Sequence, residues 1–260
     1  MNPTEPVIWT VTARNLPEHA RNPIHTDAGA QAAGFPHALV AGVTTYAYLT
    51  HPLVVAWGAD WIGRGGSEVR FRRPVFDHDL LHCTPVRDGD GDGDGDGDGD
   101  GDGDGDRAGV AVHAITGETE QPRAIVRAVR DSGPPPPMRP GEPLPSRQIR
   151  LDGEWGSDYG IRAGDDLALF TEHGWVHPAV WPALANQVVH ADVARGSWIH
   201  TRSIVRHHAI APAGALADVH AVVVRRFEAH GERAVLDVRV EIDGVVVATL
   251  EHEAIVALPD

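Results

Sequence analysis

Ala20-Arg21-Asn22-Pro23-Ile24-His25-Thr26-Asp27, then Gly34-Phe35, then Ala38-Leu39-Val40-Ala41-Gly42-Val43: the reading of this chain turns on these residues. An Asn-Pro pair commonly starts a turn, which puts His25 in a loop shortly ahead of a helix. The helix is predicted over residues 38–50, because Leu39, Val43, Tyr46, Ala47 and Thr50 recur at helical spacing, and Pro52 is expected to stop it. Strands are predicted next, at residues 67–71, 79–86, 109–115 and 124–129. One helix followed by several strands predicts a helix wrapped by an antiparallel sheet, an α+β arrangement.

The same order returns further along. Residues 178–194 read as a helix, with Pro178 suited to its first turn and Gly196 to its end. Strands are predicted at 198–206, 217–228, 234–242 and 245–257. The last two alternate so that one face is buried and one is wet, as in Val235-Leu236-Asp237-Val238-Arg239-Val240, and Asp243-Gly244 joins them as a tight hairpin. Between the halves, Pro134 to Pro137 are followed by Pro140, Pro143 and Pro145, the composition of an extended polyproline linker. The predicted organisation is a first module at 1–132, a linker at 133–147 and a second module at 148–260. A chain of 260 residues, 42% of them hydrophobic, is long enough for two cores.

The formal charge of −15 comes largely from one place. Ten of the acids alternate with glycine over residues 88–106, and without them the net charge is −5. Such a run cannot bury apolar area, so it is expected to be a disordered hairpin loop between strands. Its simple alternation lacks the ligand spacing of calcium-binding loops. A surface of this sign, with no cluster of Lys or Arg among aromatics, argues against nucleic acid as a partner. Cys83 is the only cysteine, so no internal disulfide can form. Residues 1–10 carry Pro3, Glu5 and Pro6 rather than the pattern of a signal peptide, and no apolar run approaches about 18 residues. A cytoplasmic protein without membrane insertion is expected. No metal site is expected either: there is no HExxH, and His207 and His208, adjacent in a strand, should point to opposite faces.

Together with Val69-Arg70-Phe71-Arg72-Arg73-Pro74-Val75, the opening stretch resembles the signature of the MaoC-like (R)-specific enoyl-thioester hydratases and dehydratases. That signature runs Asp-x-Asn-Pro-x-His-x-Asp, then Gly-Phe, then an apolar pair and His-Gly opening the helix of a hot-dog fold. The resemblance covers about residues 10 to 87. It implies a tandem hot-dog protein that hydrates 2-enoyl thioesters, or dehydrates 3-hydroxyacyl thioesters, carried on CoA or acyl carrier protein. It makes His25 the catalytic imidazole, Asn22 its neighbour in the active-site loop, and the Gly42 amide the donor to the oxyanion. Such a reaction needs a base beside the carbonyl, an acid at the departing hydroxyl and donors for the enolate-like oxygen, and no organic or metal cofactor. Two positions depart from the pattern. The family's aspartate falls on Ala20, and the histidine before the helix glycine falls on Ala41.

The second half lacks this signature. Its chemistry-bearing residues are His177, ahead of the predicted helix, and Asn186 within it, where asparagine is unfavourable unless its amide is engaged. If the modules pack side by side, these two residues reach the seam as substrate-binding groups, with Asp165 and Asp166 as further candidates should their loop cover the mouth. His200 is expected to pack in the core with one hydrogen bond. Three functions stay open: hydration, thioester hydrolysis with Asn186 or His177 orienting water, and acyl-thioester binding or scaffolding without turnover. A homodimer and a partner hot-dog subunit are the open assemblies.

Overall fold

In the computed structural model, which describes residues 5–86, 107–114 and 121–258, eleven strands form one antiparallel sheet. The first half supplies β1 (Trp9–Thr12), helix α1 (Asp27–Ala32), helix α2 (Gly42–Arg64), β2 (Gly66–Phe71), β3 (Leu80–Val86), β4 (Arg107–Ala114) and β5 (Ala124–Val129). The second half supplies β6 (Glu142–Pro143), β7 (Arg147–Arg150), helices α3 (Tyr159–Ala163), α4 (Leu169–His173) and α5 (Val180–Val188), then β8 (Ile199–His207), β9 (Leu216–Glu228), β10 (Glu232–Ile242) and β11 (Val245–Ala257). The strand order is β1-β3-β4-β5-β2-β8-β11-β10-β9-β6, with β7 also on β9. Each half contributes a contiguous block of strands, and the blocks join where β2 meets β8, from Gly66 opposite Arg206 to Arg70 opposite Arg202. The long helices α2 and α5 pack against the sheet and against each other. This is a double hot-dog, and its buried side chains form one core that runs through both halves.

The predicted strands appear with ends within two residues of those expected. Asp243 and Gly244 both take positive φ, 50° and 76°, as the tight hairpin requires. The expected Asp-Gly loop lies outside the described residues, although β3 and β4 on either side of it pair antiparallel. The helix predicted over 38–50 needs correction. It begins at Gly42 and continues through Pro52 to Arg64. Proline there forfeits one backbone bond, but Leu49, Leu53, Val54, Ala56 and Trp57 are all buried, so packing carries the helix onward. It kinks instead at Gly58, where φ is 61°. The second predicted helix is α5, followed by one π turn over Val189–Val193 and then Gly196 at φ 105°.

The proline-rich stretch lies along the second block of strands. The Pro136 carbonyl accepts from Arg239, and Arg139 pairs with Glu251 at 2.6 Å. Glu251 also holds Arg202, which reaches Glu68 at 2.6 Å, so a chain of ion pairs crosses the β2–β8 seam.

Candidate active site

The residues ahead of α2 form a compact loop because nearly every polar group in it is used locally. Asn22 starts a 3₁₀ turn over Pro23–His25, its side-chain oxygen accepting from the Ile24 amide at 3.4 Å. Thr26 then caps α1 by accepting from the Gly29 amide at 3.2 Å. Ile24, Ala30 and Leu39 form a small separate core that anchors the loop, with Phe35 and Phe76 against it. The Asn22 amide nitrogen donates to the Trp198 carbonyl at 2.9 Å, which ties the loop to the second half.

His25 is fixed through one nitrogen and free at the other. Its Nδ1 lies 2.8 Å from the Leu39 carbonyl oxygen. A carbonyl only accepts, so Nδ1 carries the proton and Nε2 is the bare, basic nitrogen. Burial lowers the imidazole to about 4, against a small opposing pull from that carbonyl, so the ring is neutral at ordinary pH. Nε2 has no hydrogen-bond partner among the described residues, and the ring borders a cavity of about 270 Å³.

That cavity lies at the seam between the halves. Asn22, His25 and Gly42 line it from the first half, and Asn186, Trp198 and His200 from the second. Gly42 is the first residue of α2, so its N–H has no partner within the helix and sits at the positive end of the helix dipole. A side chain at this position would crowd the wall: a Cβ on Gly42 would meet His200 Nδ1 at 3.2 Å and the Phe71 ring at 3.3 Å. The side-chain oxygen of Asn186 is buried and without a partner among the described residues. A smaller cleft, walled by His25, Asn22, Asn186 and Trp198 among others, opens behind the first. There His19 contacts Thr44 and Tyr159, each at 3.2 Å, and burial with nearby His25 lowers it to about 3.

Of the residues singled out from the sequence, His25, Asn22, Gly42 and Asn186 therefore meet at one cavity. His177 does not join them. It is buried beside Asp165, 3.8 Å away, and accepts from the Ala179 amide at 3.1 Å. Asp165 also accepts from His51 at 2.7 Å. Burial alone would raise the Asp165 carboxyl, but His177 and His51 hold it well below its ordinary value. His51, Asp165 and exposed Asp166 are close enough to hold a cation, with ligand atoms within 4.8 Å of one another. The other carboxylates near the loop are engaged: Glu18 with Arg162, and Asp27 with the Ala38 amide at 2.9 Å. His207 and His208 bond to different partners, the Trp61 carbonyl and Thr249. The sequence reading missed a role for His200, which it placed in the core. It is buried as expected, but its ring also walls the cavity.

With this geometry, the comparisons with known proteins fall into place. Residues 17–102 match the family model described as the MaoC like domain. This stretch is similar to the MaoC-like domains. Among solved structures, a conserved hypothetical protein of Mycobacterium tuberculosis with a double hotdog fold aligns at TM-score 0.64 and 13% identity, covering 96% of both chains. A MaoC-like dehydratase aligns at TM-score 0.59 and 15% identity over 98% of this chain and 99% of its own. A tesB protein of Mycobacterium avium subsp. paratuberculosis aligns at TM-score 0.54 and 13% identity over 97% of this chain and 93% of its own. At these identities the likeness is one of fold alone. No curated protein matches the sequence. No described helix is long and apolar enough to cross a membrane.

Proposed function

We propose that this chain catalyses the reversible hydration of 2-enoyl thioesters, carried on CoA or acyl carrier protein, in the seam cavity. The observation that carries the reading is His25: its tautomer is fixed by Leu39, which leaves Nε2 basic, and its ring borders a cavity that also holds a helix N-terminus. In the dehydrating direction, Nε2 takes the proton from the carbon beside the carbonyl. The electron pair moves onto the thioester oxygen, which the Gly42 N–H receives. The negative charge developing there favours the imidazolium, offsetting the burial that depresses it. His25 then returns the proton to the 3-hydroxyl, which leaves as water as the double bond forms. One group thus serves as base and then acid, which accounts for a site with alanine at position 20. Asn186 accepts a hydrogen bond from the departing or attacking water through its unpartnered oxygen. Ile24, Phe35, Leu39 and Ile255 provide an apolar wall for the acyl chain. His177, away from the cavity, positions the start of α5 through the Ala179 amide.

The reading includes the division of the chain at 133–147, a cytoplasmic setting and further self-association as a homodimer. The test is to mix the protein with a short and a long 2-enoyl-CoA and to follow enoyl absorbance and free thiol together, beside His25→Ala. Loss of absorbance without thiol release, abolished by the substitution, is expected. Thiol release would favour the second reading, hydrolysis by a water that Asn186 orients. No turnover with acyl-CoA still bound would reduce the protein to a binder and overturn both.

A further inference from the structure

Two buried histidines on neighbouring strands share one serine. His200 Nε2 lies 2.8 Å from Ser203 Oγ, and Ser203 Oγ lies 2.9 Å from His252 Nδ1. Ser203 and His252 face each other across β8 and β11. His200 is three residues from Ser203, and in a regular strand it would point to the opposite face. The register slips here: Arg202 pairs with Glu253 but His200 pairs with Ala254, leaving Thr201 as an extra residue. This bulge returns His200 to the Ser203 face and aims its ring at the cavity.

The outer nitrogens of the relay have different surroundings. His252 Nε2 and His200 Nδ1 both lack a partner among the described residues. His252 is sealed at 0% exposure, whereas His200 borders the cavity next to Gly42. A serine hydroxyl has one proton, so it donates to one histidine and accepts from the other. If Ser203 donated to His252, that ring would carry its proton on Nε2 and strand an N–H in the core. If Ser203 donates to His200, the core holds only a bare nitrogen, and the His200 proton sits on Nδ1, facing the cavity. Each arrangement leaves one buried N–H unmet among the described residues, but only at His200, on the cavity wall, can a bound ligand supply an acceptor, which selects the second arrangement.

We propose that His200 is a further catalytic residue, its Nδ1–H donating to the thioester oxygen beside the Gly42 amide. This inference rests on the thioester reading above. Burial and the neighbouring His252 outweigh a weaker pull from the Arg202 carbonyl and keep His200 neutral far below its ordinary pKa, so it polarises the oxygen without surrendering its proton. No bond is made or broken at His200. The relay through Ser203 and His252 sets which nitrogen carries the proton.

The test is infrared spectroscopy of butyryl-CoA carrying a carbon-13 carbonyl, bound to the full chain, together with enoyl-CoA turnover. Wild type, His200→Leu, His200→Asn and Ser203→Ala are compared, each first shown to be folded by a cooperative thermal transition. The bound carbonyl stretch should move to lower frequency in wild type. Most of that shift should be lost in His200→Leu and partly restored in His200→Asn, whose amide N–H reaches the Nδ1 position. Turnover should fall about 10²- to 10³-fold in His200→Leu, the loss typical of one oxyanion donor, and less in Ser203→Ala. An unchanged carbonyl shift in a folded His200→Leu that still binds overturns the role of His200 and leaves the proposed function standing. A shift lost in that variant, with no turnover even in wild type, supports His200 as a donor while overturning the hydratase reading. If wild type binds no acyl-CoA, both fall. Should His200→Leu fail to fold, Ser203→Ala with an unaltered carbonyl band and turnover overturns the proposal alone.

Discussion

Two pairs of histidines lie at the seam of this molecule, and they have opposite fates. His51 and His177 flank Asp165, which accepts from His51 at 2.7 Å and lies 3.8 Å from His177. His25 and His200 each keep one ring nitrogen without a hydrogen-bond partner among the described residues, and both rings border the cavity. The residue type is the same. What differs is whether a carboxylate or a cavity stands beside the imidazole. Where a carboxylate does so, the imidazole is architecture; where a cavity stands instead, it is available for chemistry.

Substituting one member of each group is the strongest way to break this contrast. His25→Ala should lower turnover of a 2-enoyl-CoA about 10²- to 10⁴-fold while leaving the denaturation midpoint nearly unchanged. Asp165→Ala should do the reverse. Removing the acceptor of a buried pair typically destabilises by about 3–5 kcal/mol, read as a lower urea midpoint, with turnover per folded molecule retained. If Asp165→Ala were neutral for stability and abolished turnover, the roles would be exchanged.

Acid sharpens the same contrast. His207 and His252 are fully buried, with pKa values lowered by burial to about 4 and about 3, against about 6.5 when unfolded. The unfolded chain therefore takes up protons first as the pH falls. Stability is intact above about 6.5 and is lost progressively down to the folded values, by about 1.4 kcal/mol per pH unit for each such histidine. Urea midpoints across pH 7 to 4.5 measure this, and a flat profile would contradict the neutral, buried state. Asn22→Ala should have a smaller effect. It removes the tie to the Trp198 carbonyl and leaves that buried acceptor unmet, a loss of about 1–3 kcal/mol, with turnover falling as the His25 loop loosens. The smallest effect is expected outside the cavity, at Arg202→Ala on the sheet face. A partly exposed pair of this kind is worth about 0–1 kcal/mol.

The sequence made some of this visible and hid the rest for definite reasons. The strands were legible because apolar and polar residues alternate along them, most clearly in β10 and β11, and because Asp243-Gly244 marks the turn between those two. The His25 loop was legible because Asn22-Pro23 and the spacing to Gly42 are local features. The course of α2 past Pro52 was not, since burial of its flanks overrides the breaker and depends on the whole core. The serine shared by His200 and His252 was hidden more deeply. It requires the β8–β11 register together with a bulge at Thr201, and neither can be read from one strand alone. The engagement of Asp165 by His51 spans 114 residues and was equally out of reach.

The central claim is that His25 Nε2 acts as the base beside a thioester carbonyl. Exchange of the protons on the carbon next to the carbonyl of a saturated acyl-CoA, followed by NMR in deuterated water, tests it most directly, because exchange needs a base and an oxyanion donor but no acid for a leaving group. The account predicts exchange catalysed by the wild-type chain and lost in His25→Ala. Bound acyl-CoA whose protons do not exchange, or exchange that survives His25→Ala, would contradict it.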